Sequence, residues 1–178
     1  MLNCYFYQII LTLNMIYRFA SLLFLVLFFI ACRQPKPTAK QYHSEIKVAI
    51  DTIIPYFINL DDDIALDSIY KIDKHFKQLE IVVNNSDEFI ESKTVFENET
   101  VFYDKSKELI HFYREYAHAN IEPIIKALEE NPDDLNIKEK ARISFIQFYE
   151  KEQRYLNEFN KASIDFTYKY KIYKIKTK

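Results

Sequence analysis

Two Glu-x-x-His pairs stand seven residues apart in the chain, Glu108–His111 and Glu115–His118. On a helix this spacing sets a carboxylate beside an imidazole, the ligand pair that di-iron bundles carry on two of their helices. Such a centre needs both pairs to project into the core. At about 100° per residue, the apolar residues around them centre on Tyr113 and Ile124, which turns His111 and His118 roughly 130–150° away. No histidine follows His118, while His43 and His75 stand singly and far apart. The pairs therefore read as a solvated face with local Glu–His contacts. No metal site and no cofactor are assigned.

Glu152 is a different case. It falls between Phe148, Tyr155 and Phe159, in the middle of an apolar stripe. A carboxylate placed there is costly unless it is paired or hydrogen-bonded. If the turn at Asn131–Asp134 makes the flanking helices antiparallel, Tyr113 comes opposite Glu152 and its hydroxyl can satisfy it. Asn120 and Glu99 fall on or beside the same inward stripe. Glu152, Tyr113 and Asn120 thus form either a polar spot for a small ligand or a contact that fixes helix register. No residue is marked as an activated nucleophile, and no catalytic group is assigned.

Glycine is absent from all 178 residues. Phosphate-cradling loops, the dinucleotide fingerprint, the nucleophile elbow and the calcium-binding EF-hand loop each require it. Tight hairpins favour it as well. A fold with long helices and few reversals tolerates the loss, so the expectation is all-α.

The apolar period supports four helices. Tyr42, Ile46, Ala49, Ile53, Phe57 and Leu60 make one face of a first helix, bent near Pro55. Asp61-Asp62-Asp63 then reads as the cap of a second, with Ala65, Ile69, Ile72, Phe76, Leu79 and Val83 in its stripe. Asn84-Asn85-Ser86 is expected to end it. A third and longest helix spans roughly Asp87 to Glu130, with columns Phe89, Phe96, Tyr103, Ile110, Ala117, Ile124 and Val95, Phe102, Leu109, Tyr116. Pro123 predicts a kink or restart near Asn120. After Asn131-Pro132-Asp133-Asp134, a fourth helix runs from about Leu135 to Tyr170. Short connections close these stripes into an up-down four-helix bundle over 41–170, with the two C-terminal helices the longer ones.

Ahead of the bundle lie Arg18, an apolar run from Phe19 to Ile30, then Ala31 and Cys32. The 13 residues Phe19–Ala31 suit an export signal better than a span, which needs about 20. Phe29-Ile30-Ala31-Cys32 resembles the lipobox of bacterial lipoproteins, with Phe29 in place of the usual leucine. The resemblance implies cleavage of 1–32, lipid on Cys32, and a tether at 33–40 that contains Pro35 and Pro37. Residues 1–14 hold no charge, so Met15 is the expected start. Arg33 is not the aspartate linked in that family with inner-membrane retention, which favours an outer-membrane address. Such an address would leave Cys4 out of the mature protein and give it neither a free thiol nor a disulfide.

Beyond Cys32 the chain carries 26 acidic and 23 basic residues, a balance that argues against nucleic acid as partner. From Thr167, five lysines alternate with tyrosine and isoleucine, and 171–178 reads as a basic tail. The expected function is a non-enzymatic, membrane-tethered bundle that binds an envelope protein or polymer. A small-molecule carrier with its polar spot at Glu152 is the second expectation.

Overall fold

The computed structural model describes residues 37–66 and 69–172. The expected signal with Cys4, Met15 and Cys32, the first half of the expected tether (33–36) and residues 173–178 of the basic tail lie outside the described residues. The chain divides after Pro37, and the second unit, Thr38–Lys178, holds the bundle. Its elements are α1 (Ala39–Ala65), α2 (Ile69–Ser92), α3 (Thr100–Tyr116), a π turn (Ala117–Ile121), α4 (Glu122–Glu130) and α5 (Leu135–Lys169). The π turn joins α3 and α4 into one interrupted rod, so four rods make an all-α bundle.

Cross-helix bonds fix its topology. Glu45 meets Lys93 and Asp63 meets His75, so α1 and α2 run antiparallel. Glu91 bonds Lys107 while Asp87 bonds Arg114, which reverses α3 against α2. Tyr116 reaches the Ser144 carbonyl and Lys105 pairs with Glu158, reversing α5 against α3. His43 bonds Ser163, closing α5 on α1. The order is up-down-up-down.

Caps begin the rods where the sequence allows them. Thr38 Oγ1 accepts from the Gln41 amide at 3.2 Å, and Asp134 Oδ1 from that of Asn136 at 2.8 Å. The Asp61–Asp63 run does not start a helix, contrary to expectation. Ile64 continues the buried row Ile53, Phe57, Leu60, so α1 keeps its inward stripe and runs on to Ala65. Asn84-Asn85-Ser86 does not end α2 either. Ser86 lies inward between Val83 and Ile90 and donates to the Ala49 carbonyl, so tertiary packing overrides weak propensity. Asp87 consequently belongs to α2, and α5, at 35 residues, is the longest helix.

The α2–α3 connection spends no glycine. Glu97 and Asn98 take φ of 46° and 64° between Phe96 and Glu99, whose amide returns to the Phe96 carbonyl at 2.8 Å. Two successive positive φ values make a type I′ reversal, which normally recruits Asn-Gly. Phe96 holds it in place, packed against Tyr42 and Tyr170 at 5.4 and 5.1 Å between ring centroids. After α5, Lys171 adopts φ 51° while its amide and that of Ile172 return to Tyr168 and Thr167. That is a Schellman stop with lysine where glycine is usual.

Aromatic rings fill the interior in two groups. Phe57 stacks on Phe148 at 4.1 Å, and Phe112 lies on both Phe148 and Tyr155 at 5.7 and 4.7 Å. Towards the α2–α3 turn, Phe102, Phe166 and Tyr42 meet at 4.8–6.3 Å. Phe148→Ala should cost about 3–5 kcal/mol by opening the first group. Leu135→Ala, at a position 77% exposed, should stay within about 0.5 kcal/mol. Urea unfolding of the two variants checks this, and equal midpoints would refute the packing.

Candidate functional site

Residues 113 and 152 are brought together by the antiparallel run of α3 and α5. Tyr113 Oη donates to Glu152 Oε1 at 2.8 Å, inside the protein. This is the contact that the turn geometry suggests. The rings of Phe57 and Phe148 lie 5.8 and 6.1 Å from that of Tyr113. Burial pushes the Glu152 carboxyl above its ordinary range, and the Tyr113 bond opposes that shift without cancelling it. Burial also drives the Tyr113 hydroxyl far up, helped by the Glu152 charge, so it stays a donor. One turn further, Tyr116 donates to the Ser144 carbonyl at 2.7 Å. The inward polar groups of this layer thus serve one another.

Asn120 does not join them. It is exposed, because the π turn closes i→i+5 and inserts one residue into the inward column. The buried row therefore runs Tyr113, Tyr116, Ala117, Ile121, Ile125, Leu128, one step later than a regular helix would place it. Pro123, which can give no amide to the Ala119 carbonyl, explains the position of the wide turn. Glu99 also leaves the stripe: it occupies the N-cap position of α3 without a side-chain capping bond, and its carboxylate pairs with Lys169. Val95 lies in the same connection, 37% exposed.

The histidines occupy three settings. His43 is buried and stacks on Phe102 at 5.2 Å. Burial holds its pKa down, with the Lys47 charge adding to it. His75 pairs with the buried Asp63, and beside them Tyr149 donates to Asp61 at 2.9 Å. His111 and His118 point away from the core, as their phase dictates, but their partners are not their Glu-x-x-His neighbours. His111 Nε2 bonds Glu91 at 2.9 Å and lies 3.0 Å from Asp87 Oδ1, an ion-pair contact without a hydrogen bond. His118 meets Glu122, Glu80 and Asn84. Except for Glu122, these partners belong to α2, and no spacing within one helix could reveal them.

Among the described residues, no helix is long and apolar enough to cross a membrane. Comparison with protein-family models, curated proteins and solved structures finds no match to this chain.

Glu152 carries a pH signature. Because its native pKa is raised, the folded state binds this proton more tightly than the unfolded chain does. The resulting stability is present in acid and lost as pH rises through the raised value. Glu152→Gln cannot titrate, so it should gain on the parent as pH rises above the ordinary glutamate range of about 4. Glu152→Ala, which strands the Tyr113 hydroxyl, should cost about 1–3 kcal/mol. Thermal melts at a series of pH values test both. A parent-to-Gln gap that does not move with pH would mean a solvated carboxyl.

Proposed function

We propose that this chain is a lipid-anchored protein of the cell envelope, whose helical bundle is a non-enzymatic binding or scaffold module. The anchor rests on the apolar run that ends at Ala31-Cys32. The reading of the bundle rests on one observation, the Tyr113–Glu152 bond. The carboxylate that a core ligand would use already has its partner, and aromatic rings pack around that partner. Recognition then falls to the outer surface, and the carrier reading loses its polar spot.

Distance supports the same view. Only residues 33–37 separate Cys32 from the Thr38 cap. Fully extended, a segment of this length spans no more than about 20 Å. A lipid on Cys32 would hold the bundle close to its membrane, where it meets envelope proteins or polymers rather than diffusing freely. On the same resemblance, Arg33 favours an outer-membrane address over an inner-membrane one.

Fractionation of cells expressing the full chain tests the anchor. The parent should sediment with membranes, and Cys32→Ser should be soluble or remain an unprocessed precursor. Globomycin, which blocks the lipoprotein peptidase, should make a larger species accumulate. Unchanged size and partitioning under both treatments would sink the proposal.

A further inference from the structure

His118 lies in the π turn, partly exposed, between two carboxylates from different helices. Its Nδ1 is 3.2 Å from Glu122 Oε2, at the start of α4, and 3.9 Å from Glu80 Oε1 on α2. One atom from each residue falls within 4.8 Å of the other two. A first-row metal bound by nitrogen and oxygen at about 2.0–2.2 Å sets its donors roughly 3–3.5 Å apart. The His118–Glu122 separation already matches, and Glu80 Oε1 stands less than 1 Å beyond that range from Nδ1.

The other ring nitrogen strengthens the case. His118 Nε2 faces Asn84 Oδ1 at 3.3 Å, and this side-chain oxygen can only accept. Towards Glu122 Oε2, which likewise only accepts, an Nδ1–H donates at 3.2 Å. A divalent cation would take the place of that Nδ1 proton between the two carboxylates, while Nε2–H stays on Asn84. An imidazole that donates through one nitrogen to an oxygen acceptor while presenting the other is how proteins prepare a metal-binding histidine.

The position is also reachable. Glu80 and Glu122 both line an open surface cavity of about 210 Å³ between α2 and α4, with Phe76 and Ile125 among its walls. Lys126 pairs with the far oxygen of Glu122, Oε1, at 2.5 Å, leaving Oε2 to His118. Three protein donors leave a four-coordinate ion one position for water or a further ligand. A nitrogen donor with two carboxylates selects against Mg²⁺ and Ca²⁺, which prefer oxygen alone.

We propose that Glu80, His118 and Glu122 bind one divalent transition-metal ion, with Asn84 positioning the His118 ring. The site is independent of the lipid anchor and of the Glu152 contact. It pins α2 to the π turn, so the ion should stabilise the bundle as well as bind to it.

The test titrates Zn²⁺ into the purified full chain in detergent, by calorimetry and thermal melting, with Mg²⁺ in parallel. One equivalent of Zn²⁺ should bind and raise the melting temperature, and Mg²⁺ should do neither. His118→Ala and Glu80→Gln should each weaken Zn²⁺ binding at least about tenfold and remove the thermal shift, and Asn84→Ala should weaken it about tenfold. His111→Ala, seven residues away on α3, should change nothing. Both ligand variants alter partly exposed side chains, and their far-ultraviolet dichroism checks that they are folded. Absence of Zn²⁺ binding, or binding and stabilisation that survive His118→Ala and Glu80→Gln, would overturn the site.

Discussion

A chain without glycine must reverse direction using residues whose β-carbon resists positive φ, at roughly 1–2 kcal/mol for each residue so placed. This constraint governs the architecture. Reversals become costly, so there are few of them, and the chain between them is committed to long rods. Positive φ is confined among the described residues to Glu97, Asn98 and Lys171. Each is held by something that outweighs the local strain. Phe96, seated among Tyr42, Phe166 and Tyr170, fixes the α2–α3 reversal. The paired Schellman bonds and the Phe166–Tyr170 ring contact fix the stop after α5. Aromatic residues at the rod ends perform the task that glycine performs elsewhere.

Once the rods are long, their faces must be filled, and here the filling is aromatic. Rings bury large areas with few rotatable bonds, but tyrosine brings a hydroxyl that needs a partner. Tyr113 and Tyr116 find theirs on α5, in Glu152 and the Ser144 carbonyl. The two bonds lie about one helical turn apart on the same seam, so sliding α3 along α5 by a turn would break both at once. That is a register constraint, and it is the structural reason for tolerating a carboxylate that burial disfavours. In this layer the inward polar groups are spent on aligning α3 with α5.

Long-range packing rules were more legible in the sequence than local stop signals. Absence of glycine and four apolar stripes lead directly to an all-helical bundle, and the Asn131–Asp134 turn places Tyr113 against Glu152. Boundaries are hard to read where polar residues look like punctuation. Asp61–Asp63 and Asn84–Ser86 have the composition of caps and breaks, yet each sits within a helix because Ile64 and Ile90 continue the inward row. Asp63 and Ser86 even turn inward and find partners there, His75 and the Ala49 carbonyl. Local propensities of a few tenths of a kcal/mol lose to a buried isoleucine, which contributes about 1.5–3 kcal/mol. Asn120 failed for another reason. Pro123 signals a disturbance, but not that it takes the form of one inserted residue, and that insertion moves Asn120 outward.

The same insertion assembles the polar cluster around His118. In an uninterrupted helix, the row from Tyr113 would continue through Asn120, and the groups after it would keep the phase of α3. The π turn resets that phase just before Pro123, and the α4 face that carries Glu122 and Lys126 then looks onto the cavity shared with α2. His111, one heptad earlier, lies before the reset and is held instead by Glu91, beside Asp87 and Arg114. Two histidines with the same local spelling, Glu-x-x-His, therefore end in different chemistry. His111 joins a network that also includes the Lys107 and Arg114 cations. His118 presents one nitrogen to two carboxylates. A proline at one position in α4 decides which of them can act as a ligand, through the backbone rather than through any contact of its own.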